Sequence, residues 1–114
     1  MSKYVPPGPR SDLKWVGVDL DNTLASPIWT PDNPTSDIGD PLPNNLGKYR
    51  RLIASGKKGI IHTSRPWTDY EAIEYWLKFH DIPFREIQCG KPLFYAYIDD
   101  RAIRADENDN SEWL

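Results

Sequence analysis

The sequence predicts an α/β domain built on a mainly parallel sheet, and three observations predict it. Short apolar, β-branched runs recur along the chain. Between them lie stretches whose apolar residues repeat at helical spacing. Polar residues capable of chemistry then stand directly after the apolar runs. Ligands of open α/β sheets bind there, outside the carboxyl ends of the strands.

The first run, residues 13–20, contains Trp15, Val16, Val18 and Leu20 and reads as a buried strand rather than a helix. A Pro-rich connection follows over residues 25–43, punctuated by Pro27, Pro31, Pro34, Pro41 and Pro43. A loop of that length in a small domain is uncommon and often functional, so it reads as a flap. Leu46, Tyr49, Leu52 and Ile53 then predict a helix that stops at Gly56. Residues 59–63 predict a second strand. Thr68 and Glu71 stand at capping-box spacing. Ile73, Trp76, Leu77 and His80 form one face of a second helix, which ends before Ile82 and Pro83. Residues 84–87 predict a third strand, and the aromatic run 94–98 a fourth that leads into Asp99 and Asp100.

The 114 residues hold one domain, residues 13–114, after an N-terminal arm (residues 1–12) whose Pro6, Pro7 and Pro9 predict no regular structure. A composition of 39% hydrophobic residues, 12% of the chain being aromatic, supplies a core and argues against wholesale disorder. No apolar run approaches the roughly 18 residues of a membrane helix, and the first residues lack the apolar stretch of a secretory signal. The single cysteine, Cys89, excludes an internal disulfide and a multi-cysteine zinc site. The expectation is a cytoplasmic protein. A net charge of −3 is unlike that of a strongly basic nucleic-acid binder. The cluster Lys48, Arg50, Arg51, Lys57 and Lys58 reads as the solvated side of the first helix rather than a polyanion patch.

Three strand ends carry the chemistry. Asp19 and Asp21 leave the first strand one residue apart, so their charges repel unless a cation or a shared proton relieves them. A polar turn is the bland alternative. An EF-hand calcium loop is disfavoured by Thr23 and Leu24 at its fifth and sixth positions. After the second strand, the Thr63 hydroxyl can hold a phosphoryl oxygen with nearby N–H groups, and Arg65 can add a charge-assisted contact. The same residues also suit a simple turn. After the fourth strand, Asp99 and Asp100 suit a hard divalent cation, or equally the acid-rich start of a helix. Gly90 and Lys91 do not make a Walker motif, because Pro92 replaces the Ser or Thr.

Together these segments resemble the haloacid dehalogenase-like (HAD) phosphatases. The residues are Asp19 to Thr23 (Asp-Leu-Asp-Asn-Thr), Thr63, Lys91 in Gly-Lys-Pro, and Asp99-Asp100, in that order over about residues 13–104. The likeness is greatest to short, capless bacterial and phage members and to the phosphatase domain of phage polynucleotide kinase. Asn22 stands where members more often have Gly, and Asn tolerates left-handed backbone. The resemblance implies a Rossmann-like fold without a large cap. It implies Asp19 as nucleophile, Asp21 as general acid and base, and Thr63, Lys91 and less firmly Arg65 as phosphate contacts. It implies Mg2+ held by the Asp19 carboxylate, the Asp21 main-chain carbonyl and Asp99, with Asp100 in close support.

The leading expectation is therefore a Mg2+-dependent phosphomonoester hydrolase that forms an aspartyl-phosphate. Its substrate would be a phosphorylated small molecule or nucleic-acid end, with homo-oligomerisation compatible. The alternatives are a catalytically silent binding module, which would be expected to have lost one of these acids, and a phosphotransferase with the same nucleophile. Trp29 in the flap either stacks on a base or sugar or packs the loop onto the body; packing is the commoner role.

Overall fold

The structure, a computed structural model, describes residue 12 and residues 14–114. The expected arm over residues 1–12 therefore lies, Asp12 apart, outside the described residues. Three strands, β1 (Trp15–Val18), β2 (Lys58–His62) and β3 (Glu86–Gln88), form a parallel sheet in the order β1-β2-β3. The helix α1 (Pro43–Ala54) connects the first pair and α2 (Tyr70–Phe79) the second, so the α/β class predicted from the sequence is present. No large cap interrupts it among the described residues. No helix among the described residues is long and apolar enough to cross a membrane.

Register explains the core. Val18 pairs with Ile61 and Ile61 with Ile87, so one buried row crosses the sheet. It packs in a single cluster with Tyr49 and Leu52 of α1 and Ile73, Trp76 and Leu77 of α2, the residues whose helical spacing predicted those elements. Gly59 is needed in β2, because a Cβ there would meet the Tyr49 hydroxyl and the Ile53 side chain. Tyr49 donates to the Pro83 carbonyl at 2.5 Å, and burial raises its phenol pKa. α1 stops where Gly56 adopts φ +103°, a conformation that suits glycine.

Three expectations need correction. Thr68 does not cap α2; it lies inside a short 3-10 turn, Trp67–Asp69, and α2 starts at Tyr70 without a side-chain cap. Residues 94–98 form no strand. Tyr95 and Ile98 are fully exposed, the Phe94 and Tyr97 rings meet edge to face, and Tyr97 donates its hydroxyl to the Pro92 carbonyl. Local β-propensity makes a strand only where a neighbour supplies the ladder, and no strand of this sheet pairs with the run. The basic cluster is not a uniformly solvated face either. Lys48 is buried, Arg50 donates to the His80 and Asp81 carbonyls, and Arg51 pairs with Glu112. The 25–43 loop is closed on itself and held to the body of the domain. Ser26 N–H donates to the Asp40 carbonyl (2.7 Å), Leu42 N–H to the Leu24 carbonyl (2.8 Å), and the Trp76 indole to the Gly39 carbonyl (3.1 Å).

Candidate active site

β1 ends at Val18, and the chain turns at once. The Leu20 carbonyl accepts from the N–H groups of Thr23, Leu24 and Ala25 at 3.2, 2.9 and 3.0 Å, while Asn22 N–H donates to the Ala25 carbonyl at 2.7 Å. Asn22 takes φ +62°, the left-handed geometry expected to be tolerated there. Leu20, Leu24 and Ala25 are wholly buried, so the turn is anchored from beneath while Asp19 and Asp21 remain at its polar side.

The strand ends bring Asp19 and Lys91 together. Lys91 Nζ lies 3.2 Å from Asp19 Oδ1, and Thr23 Oγ1 donates to Asp19 Oδ2 at 3.5 Å. The Asp19 side chain is 39% exposed and that of Lys91 17%, so the pair is open to a ligand from one side. Thr63 sets the position of Lys91 through the main chain: its carbonyl accepts from Lys91 N–H at 2.9 Å, and its own N–H donates to the Gln88 carbonyl at 2.9 Å. Thr63 itself is buried, and its hydroxyl accepts from Arg65 N–H at 3.1 Å. Ser64, which sequence reasoning passed over, has a buried hydroxyl without a hydrogen-bond partner among the described residues. Only its position between Thr63 and Arg65 could have flagged it.

Arg65 takes a different place from the one expected. Its side chain is fully buried and forks onto Asp21, Nε to Oδ2 at 2.8 Å and Nη2 to Oδ1 at 2.9 Å. The remaining N–H groups reach the carbonyls of Thr35 (2.8 Å) and Asp37 (2.7 Å) and Asp69 Oδ2 (3.3 Å). Burial alone lowers the guanidinium pKa, but the hydrogen bond and charge of Asp21, then Asp69, outweigh it and raise it. With its donors so occupied, Arg65 orients Asp21 and clamps the 25–43 loop. Trp29 packs over the same guanidinium at 5.8 Å, with its indole N–H buried, which is the packing role.

The expected magnesium ligands are not assembled. Asp99 and Asp100 are exposed, Asp99 Oδ1 accepts from Arg101 N–H at 2.8 Å in a local turn, and no three His, Cys, Asp or Glu side chains converge among the described residues.

His62 closes β2 on the face opposite the core row. Desolvation, then the Lys91 charge, lower its pKa, and the Asp19 carboxylate opposes them. A depression of about 380 Å³ lies beside it, lined by Trp15, Ile60, His62, Gln88 and Lys91 among others. Cys89 is buried, and its thiol pKa is pushed up to about 11 by burial first and Asp69 second, so it is chemically quiet.

No protein-family model matches the chain, and no curated protein matches it. The chain is similar to the crystal structure of an MCSG target protein from Vibrio cholerae, with 30% identity and a TM-score of 0.64, over 81% of this chain and 84% of that one. At that identity and coverage the two belong to one family.

Proposed function

We propose that this chain is a phosphomonoester hydrolase of the HAD type that works through an aspartyl-phosphate on Asp19. The observation that supports this reading best is the Asp19–Lys91 pair, a half-exposed carboxylate with an ammonium at 3.2 Å. A nucleophilic carboxylate must meet a dianion of like charge. Lys91 offsets that repulsion by attracting the phosphoryl oxygens and then stabilises charge in transfer. The Thr23 hydroxyl, on the other carboxylate oxygen, keeps Asp19 from rotating away.

In the proposed first step an Asp19 oxygen attacks phosphorus. The P–O bond to the leaving group breaks, and that oxygen takes a proton from Asp21, one of whose oxygens leaves the Arg65 fork to carry it. In the second step water attacks the phosphoryl group, gives its proton to Asp21, and the bond from Asp19 to phosphorus breaks, releasing inorganic phosphate. The absence of a large cap suits substrates as different as a sugar phosphate and a phosphorylated oligonucleotide end.

Phosphate release tests the proposal. The substrates are an aryl phosphate, sugar phosphates, nucleotides and 3′- or 5′-phosphorylated oligonucleotides, each with Mg2+ and with EDTA. Release by the wild type that disappears in a folded Asp19→Asn variant is the expected result, and the EDTA arm reports whether a cation joins the site. Release that survives Asp19→Asn contradicts the covalent mechanism.

A further inference from the structure

A chain of side chains ties the C-terminal segment to the Asp19 loop. α1 opens without a cap of its own: Leu42 stands at the cap position, Pro43 begins the helix, and the first turn holds no acid. The N–H groups of Asn44 and Asn45 donate instead to Glu107 Oε2 and Oε1, at 2.8 and 2.6 Å. A carboxylate astride two first-turn amides satisfies donors that a helix leaves unpaired and complements its dipole. Asn44 Nδ2 in turn donates to the carbonyls of Glu107 (2.7 Å) and Asp109 (3.2 Å).

Asn45 passes this order inward. It is wholly buried, and its Nδ2 donates to the Thr23 carbonyl at 2.9 Å. Lys48, also buried, donates to Asn45 Oδ1 at 3.4 Å, to the Asp106 carbonyl at 3.1 Å and to the Asp109 carbonyl. Trp113 anchors the end of the segment in the core. Internal bonds fold the 20–25 loop, and Asn45 fastens it to α1. Thr23 is also the residue whose hydroxyl meets Asp19 Oδ2.

We infer that Asn45, seated by Glu107 and Lys48, is a positioning residue for the Asp19 carboxylate, so the C-terminal segment helps to set the geometry of attack. The inference rests on the phosphatase reading. Its physical basis is that a nucleophile displaced by about 1 Å loses on the order of a hundredfold in rate.

Two variants of the full chain test it. Asn45→Asp keeps the size and the acceptor for Lys48 but sets an acceptor against the Thr23 carbonyl. Glu107→Gln places an N–H where one helix amide now donates. The aryl phosphate kcat of Asn45→Asp falls roughly 10- to 100-fold with KM little changed, and that of Glu107→Gln falls in the same sense. Amide hydrogen exchange at residues 22–25 rises about tenfold in both, while β2 amides keep their protection. Wild-type kcat in either folded variant, or a change confined to KM, overturns the inference. If the wild type releases no phosphate, the phosphatase reading fails, and exchange alone judges the positioning: unchanged protection at residues 22–25 overturns it. If Asn45→Asp does not fold, Glu107→Gln decides by the same two readouts.

Discussion

Arg65 holds both carboxylate oxygens of Asp21 in a fork of 2.8 and 2.9 Å and binds the Thr35 and Asp37 carbonyls with the rest of its guanidinium. One buried side chain thus sets the second carboxylate of the proposed mechanism and the loop beside it. A buried charge with this many partners costs more to break than to keep, because removing one side strands the other without water.

Arg65→Lys keeps the charge but not the fork. It should destabilise the protein by about 2–4 kcal/mol in urea unfolding. In the folded fraction kcat should fall with KM little altered, since Asp21 loses its orientation while the phosphate site is untouched. A raised KM with normal kcat would show that Arg65 contacts phosphate after all.

Asn22 tests the turn that presents the acids. At φ +62°, Asn22→Gly should change stability by less than about 0.5 kcal/mol, whereas Asn22→Val should cost about 1–2 kcal/mol. Equal stabilities for the two variants would contradict the left-handed turn.

His62 gives a pH signature. Its pKa is lowered from the ordinary 6.5 by desolvation, with the Lys91 charge acting in the same direction. The unfolded chain therefore takes up the proton first as pH falls. Stability from this group is present above about pH 6.5 and declines as pH drops toward the folded pKa. NMR titration of the His62 ring should give a midpoint below 6.5, moving upward in Lys91→Met. A midpoint at or above 6.5 would contradict the environment described.

Asp99 and Asp100 offer a stability test. Both are exposed, so Asp99→Asn and Asp100→Asn should each alter unfolding free energy by no more than about 0.5 kcal/mol. A loss of several kcal/mol in thermal or urea unfolding would place them in a packed site instead.

The sequence was most readable where periodicity and burial agree. Tyr49, Leu52, Ile73 and Leu77 are legible as core from helical spacing and Val18 from its apolar run, and each is buried. Asp19 and Lys91 were legible as partners only through a resemblance, because their contact joins the ends of β1 and β3, distant in sequence. The Arg65 contacts are not legible locally, because Asp21, Asp69 and the Thr35 and Asp37 carbonyls, which take its donors, come from three separate stretches of the chain. Residues 94–98 carry strand composition without a strand neighbour, which composition cannot reveal. The Glu107 cap was invisible for the same reason: its helix begins far upstream, where Leu42 and Pro43 give no capping signal.

The central claim is a phosphoryl group carried by Asp19, and trapping it is the most direct measurement. An aryl phosphate has so good a leaving group that the first step does not need the acid, whereas hydrolysis of the intermediate still needs the base. Asp21→Asn protein mixed with an aryl phosphate, quenched in acid and analysed by mass spectrometry should therefore carry one phosphoryl group on the peptide containing Asp19. The Asp19→Asn variant should carry none. Aryl alcohol release by Asp21→Asn without that adduct, or an adduct that persists in Asp19→Asn, would contradict the account.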